Sequence, residues 1–327
     1  MCNSLLPNNT DGPALPALCW TARTTNGRML ALNLIATALV AAIVFTGTFT
    51  PMAFLSSGEV FSRFVAERGP TIKSAIPYGG NLRQKLDVYQ PKAQCADGPI
   101  VLFLYGGAWN SGDRGTYGFA GAALANRGIT TVVPDYRLFP EVKFPGFVDD
   151  AALAYAWVVK NLAQTGGKTR PIFLMGHSAG AHSAALLAFD PSYIARSGAS
   201  SPRPAGFIGL AGPYAFDPTT WPSTKDIFST AKSADSARPV AFVRAGAPPS
   251  LLLHGADDTT VKLFNTRDLA KALKAAGTPV ETVEYPGIGH VGLVLTLAAP
   301  LRWRAPTLDA TVKFVERIVG GKGNCGG

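Results

Sequence analysis

Gly176-His177-Ser178-Ala179-Gly180 sets a serine hydroxyl between two glycines. An apolar run of strand length, PIFLM, precedes it, and a helical run, AHSAALLAF, follows. Strand, tight turn and helix form the setting in which a serine is lifted clear of a sheet as a nucleophile. Side chains beside the serine would collide in so tight a turn, hence glycine at both ends. The N–H groups that follow open a helix, where negative charge is stabilised. A hydroxyl is a poor nucleophile until a base takes its proton. Four histidines are available: His177, His182, His254 and His290. His177 adjoins the serine and His182 lies in the following helix, so neither reaches back easily. His254 ends an apolar run. His290, in the glycine-rich PGIGHVG, comes late enough to leave an acid between itself and the serine, the order this kind of nucleophile takes. That acid falls in HGADDTTV, where Asp257 and Asp258 compete. One would hold the imidazole tautomer and stabilise imidazolium; the other would cap a helix or sit in solvent. Local physics leaves the two level.

An acyl-transfer site also needs N–H donors aimed at the tetrahedral oxygen, each worth about 2.7–4 kcal/mol in the transition state. Tyr105-Gly106-Gly107-Ala108-Trp109 follows an apolar strand and is placed to supply them, with the Ala179 amide as another. The plainer reading of the same residues is a Gly-Gly turn.

The elements that would position these groups alternate along the chain. Apolar runs at Val101–Tyr105, Thr130–Pro134, Ile172–Met175, Phe207–Leu210, Leu251–Leu253 and Val280–Tyr285 read as strands. Between and after them lie helical stretches at Tyr117–Arg127, Phe147–Gln164, Ala179–Phe189, Val261–Ala276 and Thr307–Val319. This alternation predicts an α/β fold with a mostly parallel sheet covered by helices on both faces. Leu86–Gln90 reads as an antiparallel edge strand before the parallel part. Ligands in such sheets bind beyond the carboxyl ends of the strands, where every motif above falls. Pro213–Pro249, crowded with Pro, Thr, Ser and Ala, is where a lid or cap would be inserted.

Together these residues resemble the α/β-hydrolase carboxylesterases, in the branch holding hormone-sensitive-lipase-like esterases, arylformamidases and feruloyl/acetyl-xylan esterases. The likeness runs from about Leu86 to Val319. LDVYQP resembles the family's opening strand. YGGAW stands where the family has HGGxW or HGGG. VVPDYRLFPEVKFPGFVDD resembles its Asp-Tyr-Arg-Leu-x-Pro-Glu segment and the Asp-bearing helix start. HGADDTTV resembles H-G-x-x-D-x-x-V, and PGIGH matches the histidine loop. The resemblance implies the triad Ser178, Asp258 and His290, with Gly107, Ala108 and Ala179 as oxyanion donors. It implies hydrolysis of short-chain carboxylic esters with no cofactor and no metal. Tyr105, Gly106, Trp109 and His177 are expected to border the substrate, with Trp109 either walling the acyl pocket or serving as a core aromatic. Tyr105 replaces the family's histidine, so the hydrogen bonds of that side chain are lost or remade. The alternatives are an arylformamidase, another amidase or a peptidase of the same fold, or an inactive binding module.

Composition agrees with a folded enzyme. Of 327 residues 47% are hydrophobic and 16% charged, enough for a sizeable core and too little charge for a disordered chain. The net charge of +9 comes from scattered Lys and Arg, which excludes the basic runs of a nucleic-acid binder. Met29–Phe49 carries no charge, and a helix of that length spans about 30 Å, the thickness of a bilayer core. Arg23 and Arg28 precede it, so residues 29–49 are expected to be a signal anchor, with the catalytic domain outside the cytoplasm. Secretion after signal cleavage is the alternative. Residues 1–28 read as a disordered terminus, 50–75 as a linker, 76–320 as the hydrolase domain and 321–327 as a flexible tail. The cysteines Cys2, Cys19, Cys95 and Cys325 form no CxxC pair, which argues against zinc. A Cys95–Cys325 disulfide is open in an oxidising compartment.

Overall fold

Runs such as IVLFL and IFLMGH are apolar at almost every position, not at alternate ones, and such strands need cover on both faces. The computed structural model, which describes residues 62, 65–93, 97–165, 168–199 and 203–321, provides it. Strands β1 (Thr71–Pro77), β2 (Lys85–Gln90), β3 (Ile100–Leu104), β4 (Thr130–Pro134), β5 (Ile172–His177), β6 (Gly206–Leu210), β7 (Ser250–Gly255) and β8 (Val280–Tyr285) form one sheet. Its order is β1-β2-β4-β3-β5-β6-β7-β8. Only β2 runs against the rest, paired antiparallel with β1 and β4. Every residue of β3, β5, β6 and β7 is buried, whereas β1 and β8, at the two edges, are largely open.

The helices are α1 (Gly118–Ala125), α2 (Gly146–Val158), α3 (Ala179–Phe189), α4 (Pro191–Arg196), α5 (Phe264–Ala275), α6 (His290–Leu295) and α7 (Thr307–Val319). They form separate groups: α1 meets α7, while α2, α3 and α4 pack together. The helix α3 lies over β3, β5 and β6. In α7 the residues Leu308, Thr311, Val312, Phe314 and Val315 face inward at helical spacing, and Gly320 ends it in the left-handed conformation that glycine adopts without strain.

Two expectations are corrected. The strand at Leu86 is antiparallel but not an edge, because β1 covers it. The span 50–75 is not all linker. β1 starts at Thr71, and before it Ser62 and Val65 are buried, with Ser62 Oγ accepting from the Phe119 amide at 3.0 Å. The open β1, with none of its seven residues buried, carries no apolar pattern to betray it. Met29–Phe49, Cys95 and Cys325 lie outside the described residues, among which no helix is long and apolar enough to cross a membrane.

One buried ion pair ties the sheet to α2. Asp150 is fully buried. Its carboxylate accepts from Gln84 Nε2 at 2.8 Å, from the Arg137 amide at 2.9 Å, and from Arg137 Nε and Nη2 at 2.8 and 2.6 Å. Asp150→Ala leaves these donors facing an apolar void. Because Arg137 is partly solvated, the expected loss is about 3 kcal/mol, the low end for breaking a buried pair. Urea unfolding of the variant checks this, and an unchanged midpoint would contradict it.

Candidate active site

The turn at Ser178 follows from two close approaches. A Cβ on Gly180 would lie 2.1 Å from the Leu104 carbonyl oxygen, and one on Gly176 would lie 2.5 Å from the Gly180 carbonyl carbon. With glycine at both places the chain reverses sharply from β5 into α3, and Ser178 takes φ 55°, ψ −124°. The Ser178 amide is held by the Leu210 carbonyl at 2.9 Å. Its hydroxyl, half-exposed, meets His290 Nε2 at 2.8 Å. On the other side of that ring, Nδ1 meets Asp258 Oδ2 at 2.7 Å. Three residues distant in sequence therefore form one hydrogen-bonded line.

The two adjacent carboxylates are separated by burial. Asp257 is exposed, whereas Asp258 is 7% exposed. Asp258 Oδ1 accepts from the Thr260 and Val261 amides at 2.8 and 2.9 Å, leaving Oδ2 for the imidazole. Burial alone would raise the Asp258 pKa. Hydrogen bonds from His254 and His290 outweigh that and hold it well below the usual carboxylate range. The acid and histidine loops are stitched together: the Asp257 amide donates to the Ile288 carbonyl at 3.1 Å, and that carbonyl would lie 2.1 Å from a Cβ on Gly255.

His254, passed over as a base, is the residue that sequence reasoning missed. It is fully buried at the end of β7. Its Nε2 lies 2.9 Å from the Val261 carbonyl and 3.3 Å from Asp258 Oδ2, and Nδ1 lies 2.7 Å from Thr266 Oγ1. A carbonyl only accepts, so Nε2 carries the proton and Nδ1 accepts from Thr266. The signal was the spacing of His254 four residues ahead of Asp258.

The turn at residues 105–112 sits against the serine. A Cβ on Gly106 would be 3.0 Å from Ser178 Cβ, so glycine lets this backbone come close. Gly107, at φ 138°, Ala108, at 49°, and Trp109, at 59°, all lie at positive φ. Among the described residues the Gly107, Ala108 and Ala179 N–H groups have no protein acceptor.

The expected pocket residues fare differently. Tyr105 is fully buried, stacked on Tyr136 at 4.6 Å between ring centres, and its hydroxyl accepts from Arg83 Nη2 at 2.8 Å. Arg83 also donates to the Gly112 and Tyr136 carbonyls at 2.8 and 2.9 Å. The bonds of the replaced histidine are thus remade by an arginine, and Tyr105 braces the turn from below instead of bordering the substrate. Trp109 is a core aromatic, packed on Phe228 at 4.9 Å, His182 at 5.1 Å and Phe147 at 6.1 Å. His177 is also buried, with its Nε2 on the His290 carbonyl at 3.2 Å. Tyr105 and His177 depart from expectation for one reason, that their side chains are packed inside the protein, and Gly106 contributes only backbone.

Burial holds His177 neutral, with its pKa lowered to about 3, and likewise His182, lowered to about 4. Unfolding returns both to about 6.5, so the unfolded chain binds more protons at acid pH. Stability is full above pH 6.5 and falls as pH drops toward 4, by about 2 kcal/mol per histidine between pH 7 and 5. Urea titrations at those two pH values measure this. In His182→Gln the difference should shrink by about half; an unaltered difference would count against it.

Known proteins carry the same pattern. A family model described as BD-FAE matches residues 86–195, and the prolyl oligopeptidase family model matches 148–309. A probable isoprenylcysteine alpha-carbonyl methylesterase of Arabidopsis thaliana is 29% identical over 69% of this chain and 52% of its own. Esterase LipC of Mycobacterium tuberculosis is 30% identical over 74% of this chain and 64% of its own. The chain thus spans about half to two thirds of the length of these relatives. Among solved structures, esterase B from Lactobacillus rhamnosis overlays with a TM-score of 0.67 at 20% identity, covering 90% of this chain and 96% of that one. With the sheet order, the sharp turn at Ser178 and these likenesses in hand, the chain belongs to the α/β-hydrolase esterase family.

Proposed function

We propose that the chain is a carboxylesterase that cleaves short-chain carboxylic esters through an acyl-enzyme on Ser178. The observation that carries this reading is the unbroken line Asp258–His290–Ser178, at 2.7 and 2.8 Å. His290 Nε2 takes the hydroxyl proton as Ser178 Oγ attacks the ester carbonyl carbon. Asp258, held ionised, stabilises the imidazolium that forms and keeps the proton of Nδ1 in place. The tetrahedral oxyanion lies toward the Gly107, Ala108 and Ala179 amides, which have no competing acceptor. The intermediate collapses as His290 returns its proton to the leaving alkoxide. Water then attacks the acyl-enzyme with His290 again as base, releasing the acid and restoring the serine.

Ser178→Ala should fold like the parent and lose at least about 10⁴-fold in kcat on p-nitrophenyl acetate, and a fluorophosphonate probe should label the parent at residue 178 only. Turnover retained by the variant would remove Ser178 from the scheme. An N-formyl aromatic amide in the same assay separates an esterase from a formamidase.

The uncharged segment Met29–Phe49, led by Arg23 and Arg28, would anchor this domain to a membrane with its site outside the cytoplasm. The full chain is then expected in the pellet after alkaline carbonate washing. Recovery in the supernatant would refute the anchor.

A further inference from the structure

We propose that His177 is a positioning residue: it clamps the backbone of His290 and, through Tyr117, couples the base to the turn that carries the oxyanion donors. This rests on the acyl-enzyme reading above and adds a role for a residue that touches no reacting atom.

His177 is the last residue of β5, next to the nucleophile, and is 3% exposed. At 3.2 Å from its Nε2 stands the carbonyl oxygen of His290. A carbonyl can only accept, so Nε2 carries the proton and Nδ1 is the free acceptor of the ring. Tyr117, itself buried, places its hydroxyl 3.4 Å from Nδ1 and donates to it. The Tyr117 ring in turn stacks on Tyr105, at the start of the turn, with 5.7 Å between ring centres. Gly106 also packs directly on the histidine, since a Cβ there would lie 2.9 Å from His177 Nδ1. One buried ring therefore touches the histidine loop on one edge and the 105–109 turn on the other.

The need for such a clamp follows from how His290 is otherwise held. It opens α6, a helix of six residues, and no side chain caps that helix. Asp258 fixes Nδ1, and the other ring contact, to Ser178 Oγ, is the one the reaction breaks, so the placement of the ring then depends on its backbone. Pinning the carbonyl oxygen holds that backbone and keeps Nε2 in reach of Ser178 Oγ and of the leaving oxygen in turn. Misplacement of a catalytic group by a fraction of an ångström is costly because the reacting atoms must meet at about 3 Å. The clamp must also stay uncharged, because the two imidazole centres are 4.9 Å apart and His290 becomes a cation in the transition state. Burial, helped by His290 itself, keeps it so.

The test compares His177→Gln, which keeps an N–H donor for the His290 carbonyl, with His177→Leu, which keeps bulk and loses the donor. Tyr117→Phe removes only the hydroxyl. Kcat and KM on p-nitrophenyl acetate, the rate of fluorophosphonate labelling and the melting temperature are measured for each. His177→Leu should lose about tenfold or more in kcat and in labelling rate with KM within about threefold, the cost of one hydrogen bond felt in the transition state. His177→Gln should recover most of that loss. Tyr117→Phe should lose less, and its effect should vanish in the His177→Leu background. Parent-like kcat in His177→Leu, a loss confined to KM, or equal losses in the Gln and Leu variants that follow melting temperature would overturn the proposal. Should His177→Leu not fold, Gln and Tyr117→Phe decide it: a Tyr117→Phe enzyme with parent kcat refutes the coupling. A parent that takes no label refutes the acyl-enzyme instead, so the two failures are distinct.

Discussion

The backbone of α3 lies so close to β3 that no side chain fits between them. At Gly180 the added carbon would sit 2.1 and 2.3 Å from the Leu104 and Tyr105 carbonyl oxygens. This single contact fixes the height of Ser178 above the sheet and its distance from the turn that begins at Tyr105. The rest of the site is measured from it. Gly106 can come within van der Waals reach of Ser178 Cβ only because both neighbouring strands end at the same level, paired Leu104 to Gly176 in register. A bulkier residue at either glycine would lift the helix, and the hydroxyl, the 105–109 amides and the imidazole would part together.

Around that contact several buried polar groups are paired closely enough to act as rigid parts. Arg83 binds the Tyr105 hydroxyl, the Gly112 carbonyl and the Tyr136 carbonyl, and so spans both ends of the 105–112 turn. Planar guanidinium suits this, because one rigid fork serves several acceptors at set angles. The Tyr136 hydroxyl donates to the Tyr105 carbonyl at 2.7 Å and closes the brace from the other side. A tyrosine in place of histidine at 105 is therefore compatible with the turn: what matters is that something buried holds the backbone, and here it is an aromatic stack with an arginine at its edge. His254 does the same for the acid, giving Asp258 a second imidazole contact that opposes the cost of burying its charge.

How much of this was legible in the sequence depended on whether the signal was local. Continuous apolar runs reveal buried strands, so β4 falls at the residues read from sequence; the half-open β8 is marked instead by Val, Thr and Tyr alternating with glutamate, and α3 and α7 also fall where they were read. β1 was missed because an exposed edge strand needs no apolar residues, and α4 because six residues give too short a pattern. In the site, glycines and chain order point to Ser178 and His290, since both reflect backbone constraints. The choice between Asp257 and Asp258 came only from the resemblance, because adjacent carboxylates differ in burial and not in local pattern. Tyr105 and His177 were misjudged, and Trp109 was left open between pocket wall and core, for one reason. Sequence shows that a residue adjoins a functional turn, but not which way its side chain leaves the backbone.

Backbone strain locates the site independently of any motif. Among the described residues five that are not glycine have positive φ: Ala75, Ala108, Trp109, Ser178 and Ala211. Ala75 sits at a register shift in β1, where its amide is taken by Asp87 at 2.7 Å. The other four stand just beyond the carboxyl ends of three adjacent strands, β3, β5 and β6. Each such conformation costs on the order of 1–3 kcal/mol and persists only where its surroundings over-determine it. That over-determination is visible: Ser178 and Ala211 are held by the Leu210 and Leu253 carbonyls of neighbouring strands, and Trp109 by its carbonyl bond to the Phe139 amide. A fold that merely packed its core would relax these positions with glycine. Keeping alanine, tryptophan and serine there while backbone amides are left open toward one hydroxyl is the pattern of a site organised before its substrate arrives.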